Sequence, residues 1–549
     1  MVYFIFVTGG VLSSVGKGIL AASIGKMIQA RGFKVSAVKI DPYLNVDAGT
    51  MNPLVHGEVF VTEDGGETDL DIGHYERFLD INLNKENNIT TGQIYQTVIE
   101  RERRGDYLGL CVQVVPHITD EIKRRIKLVA EKSNADFIIV EVGGTVGDIE
   151  SQPFLEAIRQ MALEHPGRTL FIHIALVPIL DVTGEQKTKP LQHSVNELRR
   201  IGIQPHVIVA RCRMPLDHEV KKKIALFGNV PDEAVFTSYN VDYIYELPLV
   251  LDSQGMGDYI CRLLGLHLYK ANWDNWIEVV NSFKKPTIKV SIALCGKYVK
   301  TTDAYISINE ALKHAAASLG VGVNIEFIDA EKIERKQLDV DILSKFDGVV
   351  IPPGFGARGF LGKLEAIRFT RENNIPLLGI CFGMQLSIVE FARNVLGLKN
   401  ANTTEIDPNT PYPVVDLLPE QREVLFKGGT MRLGSYPIVL KEGTLTHLLY
   451  KRKIIYERHR HRYEVNKDYL ETLANHGLIV SGHSLNGQRA EFIELPSHPF
   501  FLCTQAHPEY KSRPGNPSPV YVGLINASIE RLKSRKTHHS NKLIKDKLF

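Results

Sequence analysis

The chain has 549 residues, of which 44% are hydrophobic and 23% are charged, and its formal net charge at pH 7 is +2. This length is too great for one hydrophobic core, and the composition is that of a folded protein, which excludes a disordered or fibrous one. The near-neutral charge provides no broad attraction to nucleic acid, so we expect no nucleic-acid partner.

The first predicted element is a buried strand over residues 3–7, which leads directly into a glycine-rich segment. No basic segment precedes its apolar run, so it is typical of a core strand and not of a signal peptide. The apolar run at 170–180 contains His173 and is too short to span a bilayer. The six cysteines lie far apart without a C-x-x-C pair, so neither a zinc module nor a disulfide framework is indicated. We therefore expect a cytoplasmic protein that has no membrane partner.

The glycine-rich segment, GGVLSSVGKG at 9–18, has the composition of a phosphate-binding loop before a helix. Small residues let backbone N–H groups surround phosphates, and Lys17 would neutralise the outer ones. The match is imperfect, because Gly18 stands where Ser or Thr is usual, so a magnesium-binding hydroxyl must come from elsewhere or be absent. A glycine-rich turn that binds no nucleotide is the alternative.

Acidic residues follow the next predicted strands. The strand at 35–40 carries Lys39, and residues 63–71 contain five acids. Glu141 lies near the end of the strand at 137–142, where nucleotide enzymes place a magnesium ligand. Oxygen ligands of this kind favour a hard cation, with a solvated acidic loop as the alternative for residues 63–71.

Two later loops could contact a second nucleotide. The turn at 143–150 ends in acids that could accept hydrogen bonds from a base or an amine. In the loop at 187–194, two lysines flank a threonine beside Pro190, which stiffens the loop, and such a loop could clamp a phosphate chain. The lysine run at 221–223 alone is more typical of a solvated face.

Apolar runs alternate with helical patterns in both halves, which predicts an α/β fold with two parallel-sheet domains. A more polar stretch containing both tryptophans separates the halves. We predict a first domain at 1–267, a linker at 268–287, a second domain at 288–533 and a basic tail at 534–549 that is disordered, as chain ends commonly are.

The second half contains a nucleophile motif. An apolar strand runs into G-x-C-x-G around Cys381 and then into a helical pattern, which is the strand–turn–helix that exposes a nucleophile beside backbone oxyanion donors. His507 and Glu509 supply a base and a group that orients the base. A buried structural cysteine is the alternative.

Two further segments could bind a substrate of this nucleophile. The glycines at 354, 356 and 359 allow the backbone to approach a substrate closely. In the charged stretch at 457–464, one face could present Arg460 and Arg462 to a carboxylate, and a charged edge strand is the alternative.

At these residues the sequence resembles the CTP synthase family from residue 3 to about 529. The matching motifs are the loop variant, D-P-Y-x-N-x-D at 41–47, H-G-E-V-F-V-T-E-D-G at 56–65, G-G-T-V-G-D-I-E at 143–150, K-T-K-P at 187–190, the Cys381 elbow, G-G-T-M-R-L-G at 428–434, E-R-H-R-H-R-Y-E-V-N at 457–466 and H-P-E at 507–509. The resemblance implies a P-loop-like, dethiobiotin synthetase-like domain followed by a class I glutamine amidotransferase domain.

The resemblance also implies an activity. ATP phosphorylates the uracil O4 of UTP, and ammonia from glutamine, hydrolysed at Cys381, passes between the domains and displaces phosphate to give CTP. It further implies Mg²⁺ with ATP, GTP as an activator, CTP as a feedback inhibitor, a homotetramer whose nucleotide sites span subunits, and His56 near the ammonia path.

Site residues follow by position in the family motifs. Catalytic roles fall to Cys381, His507, Glu509, Lys17 and Lys39. ATP contacts fall to Ser14, Val15, Gly16, Lys17, Gly18, Ile19, Asp71 and Val241, and magnesium to Asp71 and Glu141. UTP or CTP contacts fall to Ser13, Asp148, Ile149, Glu150, Lys187, Thr188, Lys189, Pro190, Leu191, Gln192 and Lys223. Glutamine contacts fall to Gly354, Phe382, Gly383, Met384, Gln385, Glu405 and Arg462.

The sequence departs from the family pattern at two site positions. Leu191 replaces a small hydroxyl residue, which puts one polar contact near the pyrimidine in doubt, and Pro353 replaces a glycine before Gly354. Two other functions stay open: an amidoligase acting on corrinoid carboxylates, and a non-catalytic partition-type ATPase scaffold. The K-T-K-P and G-D-I-E segments argue against the first, and the Cys381 motif argues against the second.

Overall fold

The computed structural model describes residues 2–284, 286–299, 301–421 and 428–545. The strands, in chain order, are β1 (Tyr3–Gly10), β2 (Val35–Asp41), β3 (Phe60–Val61), β4 (Glu67–Thr68), β5 (Asn88–Thr90), β6 (Phe137–Val142), β7 (Thr169–Leu176), β8 (Val207–Arg211), β9 (Val235–Ser238), β10 (Lys289–Gly296), β11 (Gly322–Asp329), β12 (Gly348–Ile351), β13 (Leu377–Ile380), β14 (Ala401–Thr403), β15 (Tyr412–Leu417), β16 (Arg432–Leu440), β17 (Ile454–His461), β18 (Tyr463–Val465), β19 (Ile479–Ser484), β20 (Ala490–Glu494) and β21 (Phe501–Thr504).

The helices, in chain order, are α1 (Lys17–Ala30), α2 (Pro53–His56), α3 (Leu70–Leu79), α4 (Thr91–Arg103), α5 (Thr119–Ser133), α6 (Gln152–Glu164), α7 (Lys189–Arg200), α8 (His218–Gly228), α9 (Leu247–Ser253), α10 (Met256–Leu263), α11 (Asp274–Lys284), α12 (Ile306–Ser318), α13 (Ala330–Glu334), α14 (Phe360–Glu372), α15 (Phe382–Asn394), α16 (Leu445–Tyr450), α17 (Leu470–Asn475) and α18 (Pro519–Lys545). Within the described ranges, no helix is long and apolar enough to cross a membrane.

The chain forms two compact units. Unit 1 contains Met1–Ala48 and Thr68–Val280, and unit 2 contains Gly49–Glu67 and Asn281–Phe549. The division differs from the predicted domains in one respect, because residues 49–67 leave the first sequence half and pack within unit 2. The predicted linker includes α11, whose Trp276 donates from Nε1 to the carbonyl oxygen of Tyr245 in unit 1. Helix α18 continues through residues 534–545, which the sequence analysis places in the tail, and residues 546–549 lie outside the described residues.

Unit 1 is built on a seven-stranded sheet in the order β5-β2-β6-β1-β7-β8-β9, with every neighbouring pair parallel. All residues of β2 and β6 are buried, so both faces of these strands are covered. Parallel strands covered on both faces need continuous apolar runs, which is the pattern that the sequence shows. The predicted parallel α/β architecture is confirmed for this unit.

The register of this sheet places the predicted synthetase residues together. Lys39 on β2 pairs directly with Glu141 on β6, and β1, which lies on the other side of β6, ends at Gly10. The carboxyl ends of neighbouring parallel strands meet at one edge of the sheet, where ligands of open α/β sheets bind.

Unit 2 is built on a nine-stranded sheet in the order β11-β10-β12-β13-β21-β20-β19-β16-β17. The five strands from β11 to β21 are parallel, as predicted. The remaining strands are antiparallel, a half of the sheet that the sequence analysis did not foresee. Its strand β17 contains the charged stretch at 457–461.

The segment 49–67 is held in unit 2 by ion pairs with β17. Arg458 donates from Nε to Glu63 at 2.9 Å, and Arg460 donates from Nε to Glu67 at 2.8 Å. Both arginines are largely buried, so the two glutamates neutralise charges that would otherwise be costly. The interpretation of residues 63–71 as one cation-binding loop is therefore wrong for Glu63 and Glu67.

Candidate active sites

The loop between β1 and α1 in unit 1 has the backbone of an anion-binding turn. Gly16 caps α1 with φ 96°, and Val11 and Ser14 also have positive φ, at 79° and 58°. Left-handed conformations at residues other than glycine are costly and cluster at functional sites. Such a loop turns successive N–H groups toward one point at a helix N-terminus, which is where phosphates bind.

Lys17 begins α1, and its side chain is buried. Its Nζ donates to the carbonyl oxygen of Gly144 at 2.7 Å, in the turn after β6. Burial lowers the pKa of Lys17, although the nearby carboxylate of Glu141 opposes that effect. A Cβ added at Gly9 would lie 2.7 Å from Cδ of Lys17, so a glycine leaves the space that this side chain needs.

Lys39 lies among four carboxylates. Its Nζ contacts Asp71 and lies 2.9 Å from Glu141, 3.7 Å from Asp69 and 3.9 Å from Asp41. Burial opposes the charge of Lys39, but the carboxylates outweigh burial and raise its pKa. Burial, together with Glu141, raises the pKa of Asp71. The ammonium of Lys39 and that of Lys17, which acts on Glu141 and Asp71, do not balance four carboxylates, so the cluster favours a further cation.

Asp71 and Glu141 fit a magnesium ion that arrives with a nucleotide. Magnesium is commonly held by one or two protein carboxylates and by substrate phosphates, and it does not need a complete protein cage. In the described part of the chain, no group of three or more His, Cys, Asp or Glu side chains is placed to hold a metal ion alone. The two carboxylates beside the loop are the donor set that such shared coordination requires.

The structure explains the unusual glycine of the loop. A Cβ added at Gly18 would lie 1.9 Å from Oδ1 of Asp71, so the carboxylate occupies the space in which a loop hydroxyl would lie. Asp71 stands in the first turn of α3, and its backbone N–H donates to Asp69, which caps that helix. A carboxylate oxygen of α3 therefore lies where the loop lacks a hydroxyl.

We expect Gly18→Ser to displace Asp71 and to reduce ATP-dependent synthesis by about 100-fold, the cost of an ångström-scale misplacement. Glutamine hydrolysis measured without nucleotides should not change. The control is Ala30→Ser, which adds the same hydroxyl at the other end of α1. Steady-state rates of both reactions test the prediction, and unimpaired synthesis by the Gly18 variant would contradict the fit.

The residues predicted to bind UTP or CTP lie on loops and on α7. Asp148 accepts from the N–H of Thr145 at 2.8 Å, and the side chain of Ile149 is 85% exposed. Lys187 pairs with Glu185 at 2.6 Å, and neither side chain is buried. Further predicted residues that are exposed are Ser13, Glu150, Lys189 and Lys223.

Three predicted nucleotide contacts face the protein interior. Leu191 is fully buried and packs in an apolar cluster with Val195 and Ile208, so its side chain is not directed at a ligand. Gln192 donates to Oγ1 of Thr188 at 2.8 Å, and both side chains are buried. The first turn of α7 therefore contributes exposed Lys189 together with buried residues that set its position.

A buried histidine connects the end of β1 to α7. His173 on β7 lies 2.9 Å from Oγ1 of Thr8 and 2.8 Å from Oγ of Ser194. Burial, with a smaller effect of Lys17, lowers the pKa of His173 to about 3, so the ring is neutral. This chain of hydrogen bonds fixes α7 relative to the phosphate loop. Val241, which was predicted to contact ATP, is half-buried in the loop after β9 and takes no part in these hydrogen bonds.

In unit 2, Cys381 lies at a strained turn between β13 and α15. Its φ and ψ are 53° and −103°, and its N–H donates to the carbonyl oxygen of Thr504 at 2.7 Å. Ile380 pairs with Thr504 across parallel strands, so Cys381 and His507 follow neighbouring carboxyl ends. This is the geometry of a nucleophile elbow.

His507 and Glu509 form the predicted pair. Nδ1 of His507 lies 2.7 Å from Oε1 of Glu509, and Gln505 donates from Nε2 to Sγ of Cys381 at 3.5 Å. Burial would lower the pKa of His507, but the Glu509 carboxylate and the sulfur of Cys381 outweigh burial and raise it to about 10. Nε2 of His507 is buried without a hydrogen bond to the described residues. The ring therefore holds a proton at neutral pH and is free to give it to a reacting group.

A cavity of about 480 Å³ lies beside His507, a volume typical of small-molecule sites. Gly354, with φ 151°, lines it, and Glu405 accepts from the N–H of Gly356 at 2.7 Å behind this wall. Gly354 thus lines the same cavity as His507, and Glu405 contacts a glycine of that lining. Tyr298 also lines the cavity and was not predicted.

The first turn of α15 follows Cys381 and contains the other predicted glutamine residues, Phe382, Gly383, Met384 and Gln385. A Cβ added at Gly383 would lie 2.2 Å from the carbonyl oxygen of Ile351, so the helix approaches β12 closely. Gln385 donates to the carbonyl oxygen of Tyr463 at 2.8 Å. All four residues are buried.

The two arginines expected on one face have different surroundings. Arg462 contacts Gln421 and donates to Oγ1 of Thr430 at 3.0 Å, and in the described part of the chain it does not line the cavity. Arg460 lines the cavity but is paired with Glu67. Glu67 neutralises Arg460, and the binding of a substrate carboxylate by Arg460 stays a prediction.

Lys363 is a further buried group near this site. Its Nζ donates to the carbonyl oxygen of Pro352 at 2.9 Å and lies 5.5 Å from the ring of Phe382. Burial, reinforced by Lys297, lowers the pKa of Lys363 to about 7. Sequence reasoning missed it, because a lysine within a helical pattern carries no signal that separates it from a solvated one.

Comparison with known proteins agrees with both halves. Residues 3–266 match the family model described as CTP synthase N-terminus, and residues 300–527 match glutamine amidotransferase class-I. A CTP synthase of Thermococcus gammatolerans is 57% identical over 97% of this chain and 99% of its own. A CTP synthase of Methanopyrus kandleri is 58% identical over 96% of this chain and 98% of its own.

Among solved structures, a Trypanosoma brucei CTPS glutaminase domain with bound acivicin is 35% identical, covers 44% of this chain and 94% of its own, and has a TM-score of 0.42. The curated relatives match across both units and nearly from end to end. Identity at this level, over this length, shows common descent of the whole chain. The protein therefore belongs to the CTP synthase family.

Proposed function

We propose that this protein converts UTP to CTP through a 4-phosphorylated UTP, with ATP as phosphoryl donor and ammonia from glutamine as nitrogen donor. The observation that carries the proposal is the presence of two complementary sites in one chain. Unit 1 has a phosphate loop beside Lys39, Asp71 and Glu141, and unit 2 has a Cys381 elbow beside His507 and Glu509.

In the first step, the uracil O4 attacks the γ-phosphorus of ATP and ADP leaves. A uracil carbonyl is a poor electrophile, and phosphorylation supplies a leaving group at C4. Phosphoryl transfer depends on positioning and charge neutralisation. Lys17 and Lys39 neutralise the charge of the phosphate oxygens, and the N–H groups of the loop donate hydrogen bonds to the same oxygens. Asp71 and Glu141 would hold magnesium, which supplies further charge neutralisation when bound.

In unit 2, the thiol proton of Cys381 passes to Nε2 of His507, and the sulfur attacks the amide carbon of glutamine. The proton held at Nε2 of His507 passes to the leaving ammonia, and Glu509 keeps the ring oriented through Nδ1. Water then releases glutamate, and His507 takes up the proton of that water. Ammonia is mostly protonated in neutral water, so supplying it within the enzyme preserves the reactive amine. The ammonia then attacks C4 of the phosphorylated UTP, and phosphate leaves.

The binding of UTP, and of CTP as an inhibitor, is proposed for the exposed residues near α7 and the turn after β6. GTP is proposed as an activator, and Mg²⁺ as the cation that accompanies ATP. A homotetramer is proposed because apolar side chains near these segments are open to solvent, including Ile149 at 85% and Val182 at 97% exposed. A cytoplasmic location is proposed because all six cysteines are free thiols.

The test follows the conversion of UTP to CTP with ATP and Mg²⁺, and compares glutamine with ammonium chloride as the nitrogen donor. CTP should form from both donors, and added GTP should raise only the glutamine-dependent rate. Formation from neither donor, by folded protein that still hydrolyses glutamine, would point to a different acceptor and overturn the proposal.

A further inference from the structure

Tyr510 lies directly on the base of the triad. Its ring stacks on that of His507, with centroids 5.1 Å apart and planes 10° from parallel. Its hydroxyl donates to the carbonyl oxygen of Val59 at 3.0 Å. Phe60 packs against the edge of the same ring, with centroids 5.0 Å apart. The residue therefore has one face on the triad and its polar end on the segment 49–67.

That segment is itself held at several points in unit 2. Arg458 donates to Glu63 and, from Nη1, to the carbonyl oxygen of Val61 at 2.9 Å. Glu58 contacts the hydroxyl of Ser307 on α12. The backbone N–H of His507 donates to the carbonyl oxygen of Arg458 at 2.7 Å, so the residue that holds the segment also holds the backbone of the base.

We propose that Tyr510 is a positioning residue that makes the orientation of His507 depend on the docking of the segment 49–67. The inference rests on the proposed glutamine hydrolysis at Cys381. Nδ1 of His507 is fixed by Glu509, but one hydrogen bond leaves rotation about its own axis. The stacked ring of Tyr510 limits this rotation, and the carbonyl oxygen of Val59 fixes the ring.

The donor role of this hydroxyl is stable across the working pH range. Burial raises the pKa of Tyr510, and Glu58 and Glu509 raise it further, so the phenol stays protonated. The charged and titratable groups acting on it are Glu58 from the segment, Glu509 and Cys381 from the site, and Arg460 from β17. Because the phenol keeps its proton, this hydrogen bond links the position of Tyr510 to that of the segment at any pH in this range.

The test uses Tyr510→Phe in the full-length enzyme, which keeps the stacked ring and removes only the hydroxyl. We expect kcat for glutamine hydrolysis to fall about tenfold, the effect of one oriented hydrogen bond. The KM for glutamine should stay within about twofold, and CTP formation from ammonia should not change. The matched control is Tyr450→Phe, which removes another buried tyrosine hydroxyl of unit 2, bonded to Glu457.

A double-mutant cycle with Glu63→Gln tests the dependence on docking. If the hydroxyl acts through the docked segment, the two losses in kcat are not additive in free energy. The double variant then has about the same kcat as the less active of the two single variants. Losses that multiply, or a Tyr510 variant with lowered melting temperature and normal kcat, would overturn the inference. Wild-type protein that fails to hydrolyse glutamine would instead defeat the proposed function.

Discussion

Replacing Cys381 by alanine is expected to abolish CTP formation from glutamine and to spare CTP formation from ammonia. The sulfur of Cys381 is the atom that attacks the amide, and the methyl side chain of alanine cannot form the acyl intermediate. Loss of a triad nucleophile lowers turnover by about 10⁶-fold in related chemistry, so residual glutamine-dependent synthesis should lie below detection. CTP formation is measured by absorbance with each nitrogen donor in turn.

The control for this substitution is Cys503→Ala. Cys503 is also buried in unit 2, on the strand that precedes His507, and its Sγ lies 3.3 Å from Oγ of Ser387. We expect that variant to retain glutamine-dependent synthesis, with lower stability from the lost core volume. Glutamine-dependent synthesis that survives in the Cys381 variant would refute the triad.

The Lys17→Ala variant is expected to lose CTP formation from both nitrogen donors by about 10³-fold, since it removes the buried ammonium that we propose neutralises the developing phosphate charge. Glutamine hydrolysis without nucleotides should continue, because Cys381 and His507 belong to a separate compact unit. The two activities are measured as CTP formed from ammonia and as glutamate released.

Lys26→Ala provides the matched control for Lys17. Lys26 lies on the same helix, but its Nζ is 4.5 Å from the ring of Trp276 and not at the loop. It should therefore retain synthesis. Normal ammonia-dependent synthesis by the Lys17 variant would contradict the phosphate-loop assignment.

The sequence predicted those features that follow from local pattern. Strand ends in a parallel sheet meet at one edge, so Lys39 and Glu141 could be expected together, and they pair directly in register. The elbow at Cys381 and the H-P-E motif at His507 follow adjacent strands, β13 and β21, which brings them together. Periodicity and glycine spacing encode such features within a short stretch of chain.

Features that depend on distant pairing could not be predicted in this way. Glu63 and Arg458 are 395 residues apart, so nothing in the acidic loop indicates its basic partner. Gly18 could be recognised as unusual, but only the fold shows that the carboxylate of Asp71 occupies the space that a side chain at position 18 would need. Leu191 was carried over from a motif, whereas the apolar face of α7 turns it into the core.

The segment 49–67 has a consequence for how this polypeptide can be divided. A gene fission placed in the predicted linker would leave the carboxy-terminal product without these residues. The guanidinium of Arg458 would then lose Glu63, the Val61 carbonyl oxygen and the ring of Phe60, which lies 5.4 Å from it. We therefore expect the severed amidotransferase half to melt at a lower temperature than the same half supplied with residues 49–67 as a separate peptide. The coding sequence of unit 2 is thus divided in two, because part of it lies within the sequence that encodes unit 1.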